Sequence, residues 1–161
     1  MSFLNFLLVI VLSFSSLRAV ETVALFCCKV ANSSSWDPDS IKSGIAGSEE
    51  AVIYMSKELA ALGFQVVVFA DPPQGSHYSQ VGANPRYLPH DYNDQVVYDY
   101  GVVWRHPLIA ESVKGRSKKL FLWPHDTWNS PLPEHVITQF SDIFWLSEWQ
   151  RDQWTAINPV C

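Results

Sequence analysis

Residues 22–30, Thr-Val-Ala-Leu-Phe-Cys-Cys-Lys-Val, form an apolar run broken only by a lysine near its end. A run of this kind suits a strand covered on both faces, the condition of strands in parallel sheets. A polar loop with Pro38 and Gly44 follows, and then residues 48–62 place Val52, Met55, Leu59 and Leu62 at helical spacing along one stripe. Ser48 can cap that helix, Glu49 and Glu50 suit its positive first turn, and Gly63 stands just past its end. Residues 64–69, Phe-Gln-Val-Val-Val-Phe, supply a second strand. Strand, helix and strand make a βαβ unit, whose crossover is expected to be right-handed. The unit commits the chain to a parallel sheet.

The remainder extends the same alternation. Between 70 and 100, Pro72-Pro73, Gly75, Gly82, Pro85 and Pro89 signal turns, with a short edge strand or a hairpin among them. Strands are expected at 101–105, 119–123 and 142–146. Short helices are expected within 106–113, at 131–140 and from Ser147 through Asp152. The strands from residue 119 onward end in polar clusters, Pro124-His125-Asp126 and Ser147-Glu148. Ligands of open parallel sheets bind at those carboxyl ends.

Length and composition narrow the function classes. The 161 residues suffice for one domain with a core, and 48% hydrophobic against 17% charged residues is a globular composition. A net charge of −5 argues against nucleic-acid binding, which depends on clustered Lys and Arg. The one basic cluster, 114–119, reads as a solvated loop. Three cysteines, with Cys27 and Cys28 adjacent and Cys161 last, give neither a disulfide framework nor a zinc spacing. Residues 3–14 are nearly all apolar and too short for an ordinary membrane span. They divide the chain into a leader, 1–20, and a domain, 21–161. The leader reads as a signal peptide or signal anchor, which implies the secretory pathway or export, with membrane contact through this segment alone. Without a signal function the chain would be cytoplasmic. In a secreted eukaryotic protein Asn32-Ser33-Ser34 would be a glycosylation sequon.

Three turns could carry chemistry. In Gly44-Ile45-Ala46-Gly47-Ser48-Glu49-Glu50, glycine allows close backbone approach and the helix start offers unpaired N–H groups. The glutamates there favour sugar hydroxyls over phosphate as ligands. In Trp123-Pro124-His125-Asp126-Thr127-Trp128, His125 can bond a hydroxyl or a pyrophosphate oxygen, or act as acid or base. Asp126 can orient it or bind a hydroxyl, while the tryptophans exclude water. The third turn is Ser147-Glu148-Trp149-Gln150-Arg151-Asp152, where Ser147 is also a natural helix cap. Arg105, at a strand end, could face an anion, and His90-Asp91 is a weaker pair. A metal site from His77, His90 and His125 is disfavoured by their spacing.

Taken in order, these turns resemble the N-terminal domain of family-4-like retaining glycosyltransferases. The resemblance rests on Gly44 to Tyr54 with Leu59 to Val66, on Leu122 to Thr127, and on Leu146 to Asp152. It spans residues 22–159. It implies an α/β fold: a Rossmann-like parallel sheet with helices on both faces, the N-terminal half of a GT-B fold. That half receives a sugar acceptor, while a C-terminal domain grips a nucleotide-sugar donor, the co-substrate; no metal or other cofactor is used. It further implies that Gly47, Ser48 and Glu49 lie on the cleft floor, with His125 and Asp126 as catalytic residues near the reacting sugar. Arg105, Ser147 and Glu148 are the remaining candidate substrate contacts. Ala46 and Phe64 replace a glycine and a histidine that are usual in the family. The family's basic pair and acidic donor motif have no counterpart here. A donor domain or a partner chain is therefore expected to complete the enzyme, cleft aromatics such as Trp128 are expected to face solvent, and the chain alone is expected to be inactive. Two other readings use the same residues: a non-catalytic glycan- or protein-binding module, and a metal-dependent hydrolase around His125-Asp126.

Overall fold

A computed structural model describes residues 19–27 and 35–159. The expectations for the leader before residue 19, for the Asn32 sequon, and for Cys28 and Cys161 lie outside the described residues. Six strands occur among them: β1 (Thr22–Cys27), β2 (Gln65–Phe69), β3 (Arg86–Leu88), β4 (Tyr98–Trp104), β5 (Ser117–Trp123) and β6 (Asp142–Ile143). All pairings are parallel, and the order across the sheet is β3-β2-β1-β4-β5-β6. This is the doubly wound, Rossmann-like arrangement, whose order reverses direction between β1 and β4.

Two cores sandwich the sheet. Alternate residues of each strand point to opposite faces. On one face Ala24, Phe26, Phe69, Val103 and Leu122 pack beneath the helices α2 (Ile109–Ser112), α3 (Glu134–Ile137) and α4 (Glu148–Ile157), through Ala110, Val136 and Trp154. On the other, Val23, Leu25, Val66, Val68 and Trp104 pack beneath α1 (Gly47–Ala61) through Val52 and Ile53. Gly101 is needed in β4, because a Cβ there would lie 2.6 Å from Ser117 Oγ and 2.9 Å from Leu120 Cδ1.

Several local expectations change. The buried side of α1 is Glu49, Val52, Ile53 and Ser56, not the stripe through Leu62, which is 75% exposed where the helix runs out. Ser56 is tolerated inside because its hydroxyl donates to Ile53 O and meets Tyr87 Oη, both at 2.9 Å. Ser48 is not the cap; Ala46 occupies that position, and Ser48 Oγ donates to Glu49 Oε2 at 2.7 Å. Gly63 takes the expected left-handed conformation, φ 96°. The region 70–100 yields one parallel edge strand, β3, rather than a hairpin. Residues 117–119 of the basic cluster belong to β5. Arg116 is no solvated loop residue: its guanidinium lies 4.4 Å from the Phe69 ring and pairs with Asp94 at 3.3 Å. Trp128 does not stand free; it packs on the first core and against the edge of His106. Among the described residues no helix is long and apolar enough to cross a membrane.

Candidate functional site

Parallel pairing puts every strand's carboxyl end along one edge. Cys27, Trp104 and Trp123 stand in one row of the ladder, so Arg105 and Pro124 are the first residues beyond it. The backbone N–H of Arg105 still reaches Trp123 O, at 3.0 Å. Ser48 at the start of α1 reaches this row at Arg105, and Gln150 in the first turn of α4 reaches it at Pro124 O.

Arg105 is the hub. Its Nε and Nη2 both donate to Asp126 Oδ2 at 2.7 Å, while Nη1 lies 3.5 Å from Ser48 Oγ and 3.9 Å from Glu49 Oε1. Its guanidinium stacks 5.1 Å from the Trp104 ring centroid. Arg105 itself sits at φ 66°, a left-handed conformation that costs a side-chain-bearing residue about 1 kcal/mol. Glu49 is only 9% exposed, at a helix N-terminus where a carboxylate is favoured. Arg105, expected to face an anionic ligand, here commits Nε and Nη2 to the Asp126 carboxylate, while Nη1 turns toward Ser48 and Glu49. Asp126 likewise does not orient His125; it holds Arg105.

His125 leans on Trp123 and Trp104, with ring centroids 4.6 and 6.1 Å away. Its Nε2 is buried without a hydrogen-bond partner. Burial holds its pKa below the usual histidine value; Asp126 opposes the shift, Arg105 adds to it and Glu49 opposes it. The imidazole is therefore neutral at neutral pH. The turn that carries it is clamped by Gln150 of α4, whose Nε2 donates to Pro124 O and, at 3.3 Å, to Asp126 O. Gln150 Oε1 accepts from Leu146 N at 2.9 Å. Ser147 caps α4 by accepting from Gln150 N at 3.1 Å. Glu148 is exposed on the first turn of α4, beside Trp149, which is 62% exposed.

The structure thus brings Ser48, Glu49, Arg105, Asp126 and His125 into one cluster, with Gly47 and Ser147 at the adjoining helix starts. The role of Gln150 escaped the sequence reading. Its signal was present: Ser147-Glu148-Trp149-Gln150 has the Ser-x-x-Gln spacing of a capping box, in which the fourth side chain turns back across the helix start. His90 pairs with Asp71 at 2.8 Å rather than with Asp91, because strand pairing sets the carboxyl ends of β2 and β3 side by side. Asp71 also has a positive φ, 49°. His77 lies 3.6 Å from Asp39 in another loop. Among the described residues no group of three or more His, Cys, Asp or Glu is placed to hold a metal ion.

No family model, curated protein or solved structure matches the chain. The fold and the cluster together define a Rossmann-like α/β protein whose polar side chains gather at the carboxyl ends of β4 and β5, beside the point where strand order reverses.

Proposed function

We propose that this domain is the acceptor-side half of a GT-B glycosyltransferase, working with a nucleotide-sugar donor held by a second domain or a partner chain. One observation carries the reading: the turns at Ser48-Glu49, Arg105, His125-Asp126 and Ser147-Gln150, drawn from four separate segments, meet at one sheet edge. Carboxylates that accept from hydroxyls, a neutral histidine and an exposed indole, here that of Trp149, are groups a sugar site uses. Glu49, Ser48 and Glu148 would hold acceptor hydroxyls, with Gly47 allowing close approach. His125 would stand beside the reacting sugar and Asp126 would fix the floor through Arg105. Transfer requires stabilising the departing diphosphate, and the donor side would supply that.

The test has two arms. Saturation-transfer NMR with a set of free oligosaccharides should detect binding to the intact chain and a loss of at least tenfold in affinity in Glu49→Ala. Nucleotide-sugar turnover by the chain alone should be absent. Undiminished glycan binding in Glu49→Ala would remove the proposed site, and robust turnover would remove the need for a donor half.

A second reading, a binding module without catalysis, is favoured by Phe144 and Leu146, exposed between β6 and α4, and by Trp149, exposed in the first turn of α4. Such an apolar patch suits a protein or glycan partner. Glycan binding that survives His125→Ala, together with the absence of transfer in any longer form of the protein, would favour it.

A further inference from the structure

We infer that Arg105 Nη1 and Glu49 Oε1 together form a hydroxyl-specific subsite, in which one ligand hydroxyl accepts from the guanidinium and donates to the carboxylate. The inference rests on the sugar-handling site proposed above and names the functional group that its floor selects.

The two atoms stand 3.9 Å apart, an ion pair by charge but too long for a hydrogen bond. Both side chains are anchored against closing that distance. Arg105 Nε and Nη2 are bonded to Asp126 Oδ2 at 2.7 Å, and the guanidinium rests 5.1 Å from the Trp104 ring centroid. Because the guanidinium is a rigid planar fork, these anchors also set the position of Nη1. Glu49 is pinned by the Ser48 hydroxyl, which donates to Oε2 at 2.7 Å, and by its place in the first turn of α1. Ser48 Oγ is itself 3.5 Å from Nη1, beyond the usual reach of an N–H···O bond. Each charged group thus commits its other atoms to an anchor and leaves one atom at the same gap. An oxygen about 2.8 Å from both would complete the two bonds that the protein leaves unmade. The approach is open. The Arg105 side chain is 26% exposed, and a Cβ built on Gly47 would meet nothing within 4 Å.

The chemistry of the gap decides what it takes. A hydroxyl donates and accepts through a single neutral oxygen. An ammonium has no lone pair for the guanidinium and is repelled by it. A carboxylate has no proton for Glu49 and meets a like charge at close range. An ether or a deoxy carbon leaves one or both charged atoms unmatched, the defect by which hydrogen-bonding sites reject analogues lacking the group. Glu49 is therefore the filter, since Arg105 without it would leave a gap that suits anions.

The deciding measurement is a 15N–1H spectrum of the arginine side chains of the intact chain. Arg105 is assigned by the signals missing in Arg105→Lys, or by those displaced in Ser48→Ala if the first variant does not fold. Three titrants each present one kind of group: ethylene glycol, ethylammonium and acetate. Glycol should shift the Arg105 signals several times more than those of Arg86, Arg116 and Arg151, while ethylammonium and acetate at matched ionic strength should not. In Glu49→Gln, which keeps the shape and removes the charge, acetate should begin to shift Arg105. If that variant does not fold, Glu49→Asp, which draws the carboxylate back by one methylene, should weaken the glycol response several-fold. An acetate shift in the intact chain would overturn the inference, and so would indifference to glycol, which would mean that water alone fits the gap. None of the probes is a sugar, so this test can fail while glycan binding stands, and it can succeed where glycan binding and transfer are both absent.

Discussion

At the amino-terminal end of the strands, Asp99 of β4 accepts from the backbone N–H and hydroxyl of Thr22 in β1, at 2.9 and 3.0 Å, and from Lys118 of β5 at 2.6 Å. Tyr100 reaches across to Glu21 at 3.1 Å. At the carboxyl-terminal end of the same strands, Arg105 bends back through a left-handed conformation, Glu49 is nearly buried, and the indole nitrogens of Trp104 and Trp128 and the Nε2 of His125 are buried without partners. The first arrangement ties three adjacent strands together through Asp99, although Gln95 ahead of β4 also has a positive φ, 57°, and Arg116 Nε ahead of β5 is buried without a partner. The second departs from low-energy local choices in several places at once. Departures of this kind concentrate where structure has been kept for binding or chemistry rather than for stability alone. The contrast between the two ends of one sheet, more than any single residue, supports placing the proposed site at the carboxyl-terminal end.

The sharpest way to break that contrast is Gln150→Leu. It strips hydrogen bonds from two carbonyls and one N–H around the His125 turn, and should cost about 2–3 kcal/mol in urea unfolding. A cost below about 0.5 kcal/mol, the range of an ordinary surface change, would mean that the clamp is incidental. Arg105→Gly should do less to stability, with a net change within about 1 kcal/mol, since relief of the positive φ offsets lost ion pairing. It should nevertheless abolish glycan binding. Unchanged binding would show that the strain at Arg105 serves nothing at this edge.

The smallest effect belongs to the other end. Its bonds to Lys118 and to the Thr22 backbone and hydroxyl hold the Asp99 carboxyl well below its ordinary value, at about 2. A depressed folded pKa means stability that is present above the ordinary carboxylate range and lost as acid protonates the group. The melting temperature should therefore fall between roughly pH 4 and pH 2, and Asp99→Asn should flatten part of that fall without touching ligand binding. Because this pair is exposed, raised salt should shrink the difference. An Asp99→Asn protein that loses glycan binding would erase the distinction between the two edges.

Much of this was legible beforehand. The start of the apolar run at residue 22, the helix to Ala61 and the strand at 65–69 lie within a few residues of their expected limits, because a buried parallel strand and a helix ended by glycine write strong local patterns. The carboxyl ends of β4 and β5 were also identifiable as polar punctuation after apolar runs. What escaped was pairwise. No local pattern says that Asp126 turns to Arg105 rather than to His125, or that His90 prefers Asp71 over its neighbour Asp91; strand order decides both. The buried side of α1 was misjudged for a related reason. Ser56 looks like a surface residue until Tyr87, thirty-one positions away, supplies its partner. Trp128 was expected in solvent on grounds of function, and packing reclaimed it.

The row formed by Cys27, Trp104 and Trp123 has a last implication. Since side chains alternate along each strand, deleting or inserting one residue within β5 would turn His125 to the far side of the sheet while leaving the loops untouched. The loops can vary in length without that penalty. A lineage carrying this scaffold could therefore exchange what it recognises by rewriting its turns, provided the count of residues along its strands never changed.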